Sequence, residues 1–477
     1  MIITVVLLYF VLLYAVSTLT GKRSGNDTFF NAKRQSPWYM VAFGMIGASI
    51  SGITFVSVPG MVLHSQMTYM QTCLGFILGY AAVAFILLPL YYRLHLTTIY
   101  SYLGQRLGRK SYLTGASFFI GSKLIGAALK FYVVCMILQE FVFAPHGIPF
   151  PITVAIMVLL IWLYTRRGGI RTLVFTDSIQ TACMLAALVL IIINVMKALD
   201  FTPSQAVTAI SQRPLSQMFV FDDWISRQNF WKQFISGAFI VVVMTGLDQD
   251  MMQKNLTCRN LREAQADMCS YGLAFVPVNL LFLALGVLLT MLCDKQGIAL
   301  PQSSDSLLPM FAANGSLGTP TLILFTLGIV AASFSSADSA LTSLTTSYCI
   351  DIRQKPHDEP LRRRTHFVMC AAFIGFILLF RYVNSTSLID AIYTIVSYTY
   401  GPLLGLFAFG LFTKRMPNDK LSPIIAIAAP VACYGISYAT STLFGYTFGY
   451  ELLLLNGALT FAALYAFSHP AKITQPA

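Results

Sequence analysis

The sequence predicts an all-helical membrane protein with about thirteen transmembrane helices. Three observations carry that prediction: an apolar composition with few charges, apolar stretches long enough to cross a bilayer, and basic residues that alternate from loop to loop. Of the 477 residues, 56% are hydrophobic and only 10% charged, and the mean hydropathy is +0.70. Soluble domains carry roughly 25% charged residues, so a globule of this composition has too few charges to cover its surface. Most of the chain therefore faces lipid, and a soluble-enzyme reading is excluded. The net charge of +12, from 31 Lys+Arg against 19 Asp+Glu, would suggest nucleic acid in a soluble protein. Basic loops on one side of a membrane explain it better, and no nucleic-acid partner is expected. The nine cysteines stand singly without metal-ligand spacing and imply no disulfide framework.

Apolar stretches of about 20 residues centre near Leu12, Gly52, Val83, Ala127, Val158, Leu188, Val241, Leu280, Ile329, Ile374, Leu404, Ala428 and Leu459. The first begins at Met1 with neither a basic leader nor a small-residue cleavage site, so it reads as a retained helix. Loops after the odd-numbered stretches are rich in Lys and Arg, for example Lys33 and Arg34, Arg106 to Lys110, Arg166 and Arg167, Lys254 to Arg262, Arg362 to Arg364, and Lys414 and Arg415. The opposite loops hold only Lys197, Arg213, Arg227, Lys232, Lys295 and Arg381. The positive-inside rule makes the first set cytoplasmic. The N-terminus is then outside and the C-terminus inside, which requires an odd number of crossings.

The second stretch packs Gly44, Gly47, Ser49, Ser51 and Gly52 at mid-membrane depth, with Pro59 following. Such a run is either a close helix crossing through small residues or an unwound segment whose carbonyls bind a cation. The seventh stretch is interrupted in the same way at Thr245-Gly246-Leu247-Asp248. Five stretches separate the two starts, so two five-helix units enter the membrane from opposite sides, the arithmetic of an inverted repeat. The chain divides accordingly into a first helix and loop (1–36), a first repeat (37–200), an external amphipathic segment (201–230), a second repeat (231–416) and two C-terminal helices with a short tail (417–477). The external segment is either a lid or a connector.

The ninth stretch carries the densest polar signal, with Ala332, Ser335, Ser336, Asp338, Ser339 and Ser343 at helical spacing. A stripe of hydroxyls suits a small hard cation that prefers oxygen ligands. The alternative is hydrogen bonding between helices, which the carboxylate of Asp338 makes less apt. Ionisable residues inside a membrane are functional candidates; here they are Lys123, Lys130, Asp177, Asp248, Asp338 and Asp390. Lys130 and Asp390 are read as snorkelling or interfacial. Lys123 either meets an anionic solute or pairs with Asp248.

Several motifs resemble the sodium/solute symporter family, whose members include bacterial sodium-coupled proline, galactose and sialic acid carriers. They are Ser335-Ser336 with Asp351-Ile352 downstream, Gly401-Pro402-Leu403-Leu404-Gly405 with Gly410-Leu411-Phe412-Thr413-Lys414-Arg415, and Asp248-Gln249-Asp250-Met251-Met252-Gln253-Lys254 with Arg262-Glu263-Ala264. Lys254 stands where the family usually has Arg. Asp27-Thr28-Phe29-Phe30 and the run from Ser51 to Gly60 also fit, so the likeness covers nearly the whole chain.

The resemblance implies a LeuT-type five-plus-five inverted-repeat core and a multi-pass protein of the plasma membrane, the inner membrane in a bacterium, working as a monomer. It implies a main sodium site on the carbonyls of Gly47, Ile50 and Ala332 and the hydroxyls of Ser335 and Ser336. A second cation site, found in some members, falls here on Asp177, Ser335 and Ser339, with Asp338 where such members often have Ser or Thr. Substrate contacts carry over to Ser49, Ser51, Thr54, Tyr69, Cys73, Asp248 and Tyr393, with Lys123 nearby. The implied function is sodium-coupled import of a small polar organic solute: a sugar, a sugar acid such as sialic acid, an amino acid or a monocarboxylate. Proton coupling through Asp338 or Asp177, and a solute sensor that does not transport, are the competing readings. No enzymatic activity is expected.

Overall fold

The structure is a computed structural model that describes residues 2–21, 25–313, 317–381 and 388–470. Helices dominate, as composition predicts. Seven are long and apolar enough to cross a bilayer: Tyr69–Arg93, Arg109–Leu138, Ile170–Leu199, Leu261–Gln296, Gly318–Ile352, Glu359–Phe380 and Ser422–Phe444. Two further crossings are bent pairs, Trp38–Ser49 with Gly52–Ser65 at 61° and Phe230–Gly246 with Gln249–Asn255 at 69°. Length and apolarity thus support up to nine crossings among the described residues. The remaining predicted centres fall on shorter apolar helices, Thr4–Thr20, Phe150–Arg166, Gly401–Phe412 and Leu452–Ala466. The eleventh predicted stretch is shortened for a local reason. It consists of two helices, Leu388–Thr399 and Gly401–Phe412, and the second starts on Pro402, which has no N–H to continue a helix across the join.

Both sharp bends fall where small or hydroxyl residues interrupt the apolar pattern, Gly47 to Gly52 in one and Thr245-Gly246 in the other. In the second crossing Ile50 and Ser51 are extended (φ −84, ψ 94 and φ −82, ψ 170) between two helices. In the seventh the chain widens into a π-turn over Val242–Gly246, leaves the helix at Leu247 and restarts at Gln249 with Asp248 as its cap. The two bent crossings are the matched pair that the five-plus-five arithmetic requires.

Close packing of the third and seventh crossings uses small residues. A Cβ on Gly75 would stand 2.0 Å from the Phe234 carbonyl oxygen, and one on Gly237 would stand 2.3 Å from that of Thr72. The backbones can touch only because both positions lack a side chain. The external segment is fastened at both ends. Its helix Pro203–Ser211 opens on a Thr202–Gln205 capping box. Ion pairs Lys295–Asp200 (2.5 Å) and Arg213–Asp294 (2.9 Å) tie it to the end of Leu261–Gln296. Further on, the Gln71 side chain accepts from the Val220 N–H (3.0 Å) and donates to the Gln228 carbonyl (2.8 Å), while Met67 N–H donates to the Gln217 carbonyl (3.1 Å). At the C-terminal end, Arg415–Pro417 and Ser468–Pro470 pair as a short antiparallel ribbon.

Gly75→Leu is expected to destabilise the protein by about 1–3 kcal/mol, the usual cost of overpacking. Gly121→Leu, where an added Cβ meets nothing within 4 Å, should be neutral. Thermal unfolding of the two purified variants in one detergent checks the contrast.

Candidate substrate cavity and cation-binding residues

The break in the second crossing releases backbone groups inside an apolar interior, where each needs a partner or a ligand. Ile50 N–H still reaches the Ile46 carbonyl, and Thr54 N–H reaches that of Ser51, but among the described residues no backbone N–H closes on the carbonyls of Gly47 or Ile50. The Ala48 carbonyl is met from outside its own helix by the Ser336 hydroxyl, at 2.9 Å. Ser336 thus joins the ninth crossing to the break. Gly47 itself is packed against the sixth crossing so tightly that a Cβ would lie 2.1 Å from Thr181 Oγ1. Backbone carbonyls and a serine hydroxyl at this break are oxygen groups, the kind that a hard monovalent cation prefers.

The seventh-crossing break is satisfied differently. Tyr91 OH donates to the Gly246 carbonyl (2.9 Å) and Tyr100 OH to that of Leu247 (2.8 Å). Gln249 accepts from Ile99 N–H (2.9 Å) and donates to the Thr97 carbonyl (3.1 Å). These bonds pin residues 91–100 onto the broken helix. Asp351 adds a second clamp there, accepting from Tyr112 OH (2.8 Å), Ser347 (2.6 Å) and Thr98. All of these groups lie toward the basic loops.

Between the two breaks lies a cavity of about 140 Å³. Ser49, Ser51, Thr54, Tyr69, Lys123 and Asp248, all expected from sequence, line it together with Tyr80, Lys130, Asp250, Tyr271, Ser336 and Tyr400. Ser49 is hydrogen-bonded to Tyr271, which also receives Tyr80 OH at 2.8 Å. Cys73 does not reach the cavity: it shares a helical stripe with Tyr69, Phe76 and Tyr80, but its short side chain is fully buried behind them. The side chains of Tyr393 and Asp390 lie outside the described residues.

Charges on the cavity wall are unevenly partnered. Lys123 lies 3.1 Å from Asp248 and 2.7 Å from Asp250, and Tyr400 OH donates to Asp248 at 2.7 Å. Lys123 is therefore held by the protein's own carboxylates, the pairing with Asp248 that is one of the two alternatives open from sequence, while it still lines the cavity. Lys130, two turns along the same helix face, has no ion pair or hydrogen bond among the described residues. Asp250 Oδ1 likewise has no hydrogen-bond partner.

Below the cavity, Asp177 is fully buried and both its oxygens are engaged. Ser335 donates to Oδ1 (2.9 Å) and the Lys254 ammonium meets Oδ2 (2.7 Å), with Lys254 only 2% exposed. Sequence reading counted Lys254 among the loop charges; the bend in the seventh crossing turns its second half inward and buries it. Asp177 thus has a resident counter-ion, so the set Asp177, Ser335 and Ser339 does not enclose a free carboxylate. Asp338 accepts from Tyr164 OH at 2.6 Å, and Ser339 donates weakly to its other oxygen at 3.4 Å.

The sodium:solute symporter family profile matches residues 29–420. The chain belongs to the sodium:solute symporter family. Among its relatives are the sodium/sialic acid symporter NanT of Aliivibrio fischeri, 24% identical over 92% of this chain and 88% of that one, and the sodium/sialic acid symporter SiaT of Proteus mirabilis, 24% identical over 94% and 90%. A solved structure of the substrate-bound outward-open state of a Na+-coupled sialic acid symporter superposes with a TM-score of 0.83, covering 98% of this chain and 97% of that one at 21% identity. The fold is thus the LeuT-type inverted repeat, and the chain is a sodium-coupled transporter of a small solute, not an enzyme.

Within this family member the Asp177–Lys254 pair should behave as a unit. Removing one partner of a buried pair leaves an uncompensated charge and costs about 3–5 kcal/mol, whereas replacing both is close to neutral. Lys254→Met is therefore expected to lower the melting temperature sharply and Asp177→Asn/Lys254→Met to recover most of it. A double-mutant cycle in thermal unfolding checks this coupling.

Proposed function

We propose that this chain imports a small organic solute bearing a carboxylate and a hydrogen-bond donor, a sugar acid or an amino acid, together with sodium. The observation that carries the reading is Lys130: a cation on the cavity wall with no ion pair or hydrogen bond among the described residues. A buried ammonium is costly until something anionic meets it, and a solute carboxylate is the group that fits. The unpartnered Asp250 Oδ1 favours a solute that also brings a hydroxyl or an amine. Sialic acid, the substrate named for two relatives, has both features and is the first candidate.

Sodium is assigned to the carbonyls of Gly47, Ile50 and Ala332 and the hydroxyls of Ser335 and Ser336. Ser336 also lines the solute cavity, so a cation holding the ninth crossing against the second-crossing break fixes one wall of the solute site. Each ligand then favours the conformation that the other needs, which is the free-energy basis of coupling. Rocking of one helix group against the other moves the opening from one face to the other, and release toward the basic loops requires the Tyr91, Tyr100 and Gln249 bonds to part. Thirteen crossings, an outside N-terminus, the plasma membrane and a working monomer complete the reading. Asp338 with Ser339 is the position for any second cation, since Asp177 already has Lys254.

Uptake into proteoliposomes is expected to need an inward sodium gradient, and Ser336→Ala should weaken apparent sodium affinity about tenfold, the scale of one lost ligand (about 1.4 kcal/mol). Sodium-independent uptake would refute the coupling. Lys130→Gln is expected to reduce binding of sialic acid at least tenfold, as for a lost charge-assisted contact, while a neutral sugar binds both proteins alike. Equal binding of the acid to both would remove Lys130 from recognition.

A further inference from the structure

A second cavity, of about 340 Å³, opens on the face opposite the basic loops. It shares Tyr69 with the solute cavity, so this side chain is the wall between them. Its roof comes from the external segment, whose Arg227 and Gln228 stand over the start of the third crossing because Gln71, fully buried, holds the segment there by both ends of its amide. That fastening fixes the vestibule immediately outside Tyr69.

The charges in this vestibule are out of place for a structural connector. Topology disfavours basic residues on this face, and three of the six present have a partner in view. Arg213 and Lys295 are held in ion pairs with Asp294 and Asp200, and Arg381 lies 5.2 Å from the Phe150 ring centre. Arg227 and Lys232 differ, because both line the vestibule and neither has a carboxylate partner among the described residues. Among the described residues Arg227 donates only through its Nε–H, to Thr447 Oγ1 at 3.1 Å, which leaves the outer nitrogens of the guanidinium open. Lys232 is steadied by the Ile225 carbonyl (3.3 Å) and the Tyr446 ring (4.8 Å) without being neutralised. Glu451, the vestibule's carboxylate, accepts with Oε1 from Tyr446 OH (2.8 Å) and Gly449 N–H (2.9 Å), so it is turned toward its own loop.

We propose that this vestibule is a capture site for carboxylate solutes, in which Arg227 and Lys232 bind the anion before it passes Tyr69 to Lys130. This rests on the reading of the solute as an anion. A low-dielectric cleft lined by unpaired cations concentrates anions and speeds their association. Charges of this kind act on the rate and salt dependence of association more than on the final affinity.

Two measurements test it separately from the substrate reading. The first uses a reporter thiol, Ser65→Cys, in the vestibule wall and compares its modification by an anionic and a cationic methanethiosulfonate, each relative to a free thiol. The anionic reagent is expected to be favoured at least about threefold at low salt, an electrostatic enhancement of modest size, and Arg227→Gln/Lys232→Gln should abolish that preference. Failure to see it would overturn the cationic vestibule whatever the substrate is. The second measures sodium-driven uptake of sialic acid by the double variant. KM should rise several-fold at low ionic strength, the difference shrinking as salt is raised, with the maximal rate much less affected. A cationic vestibule with an unchanged KM would overturn its role in capture, and loss of all sodium-driven uptake in the unmodified protein would instead refute the transport reading.

Discussion

Two helices stop inside an apolar interior, and the backbone they release has to be satisfied by protein or by a ligand. The rest of the architecture follows from how each break is met. At the seventh-crossing break tyrosines from residues 91–100 cap the freed carbonyls of Gly246 and Leu247, so this break is closed by protein. At the second, the Ser336 hydroxyl meets Ala48 while the Gly47 and Ile50 carbonyls receive no backbone N–H among the described residues. One break is therefore a lock and the other a set of open donors. The solute cavity lies between them and borrows a wall from each, with Ser49 and Ser51 on one side and Asp248 and Asp250 on the other.

Interior charges tie the two halves together. Lys123 spans to Asp248 and Asp250, and Lys254 spans to Asp177. Both bridges end on the second half of the seventh crossing, one at its start on Asp248 and Asp250 and one near its end on Lys254. Because Ser335 hydrogen-bonds the same carboxylate as Lys254, the position of the bent half-helix is linked to the serine pair of the ninth crossing. A change at that serine pair thus has a direct route to the second half of the seventh crossing, through one buried carboxylate with two donors on it.

Residue patterns with local causes were legible from sequence. Small and hydroxyl residues at membrane depth located both breaks, because a helix can end there only where backbone is free to bend and small enough to be buried. Helical spacing placed Ser335, Ser336 and Ser339 along one helix. Most of the expected substrate residues line one cavity for the same reason: they cluster at the two breaks. Lys254 and Asp250 were less legible, because they follow the seventh-crossing bend and a linear reading carries them out into the loop.

The sequence by itself determined the class of protein, the helical order, the pair of interrupted crossings and the family, since each depends on composition or on spacing along one chain. Tertiary structure decided which charges are spent and which are free. Lys123 and Lys130 stand two turns apart on one apolar helix, yet the bend of the seventh crossing brings two aspartates into direct contact with the first only. Cys73 and Tyr69 share a stripe, and only the larger side chain reaches the cavity. Partners of this kind come from segments far apart in the chain, Lys123 from Asp248 by 125 residues and Lys254 on another crossing from Asp177. Their pairing is fixed by helix packing and by a 69° bend, quantities that no local pattern of residues encodes.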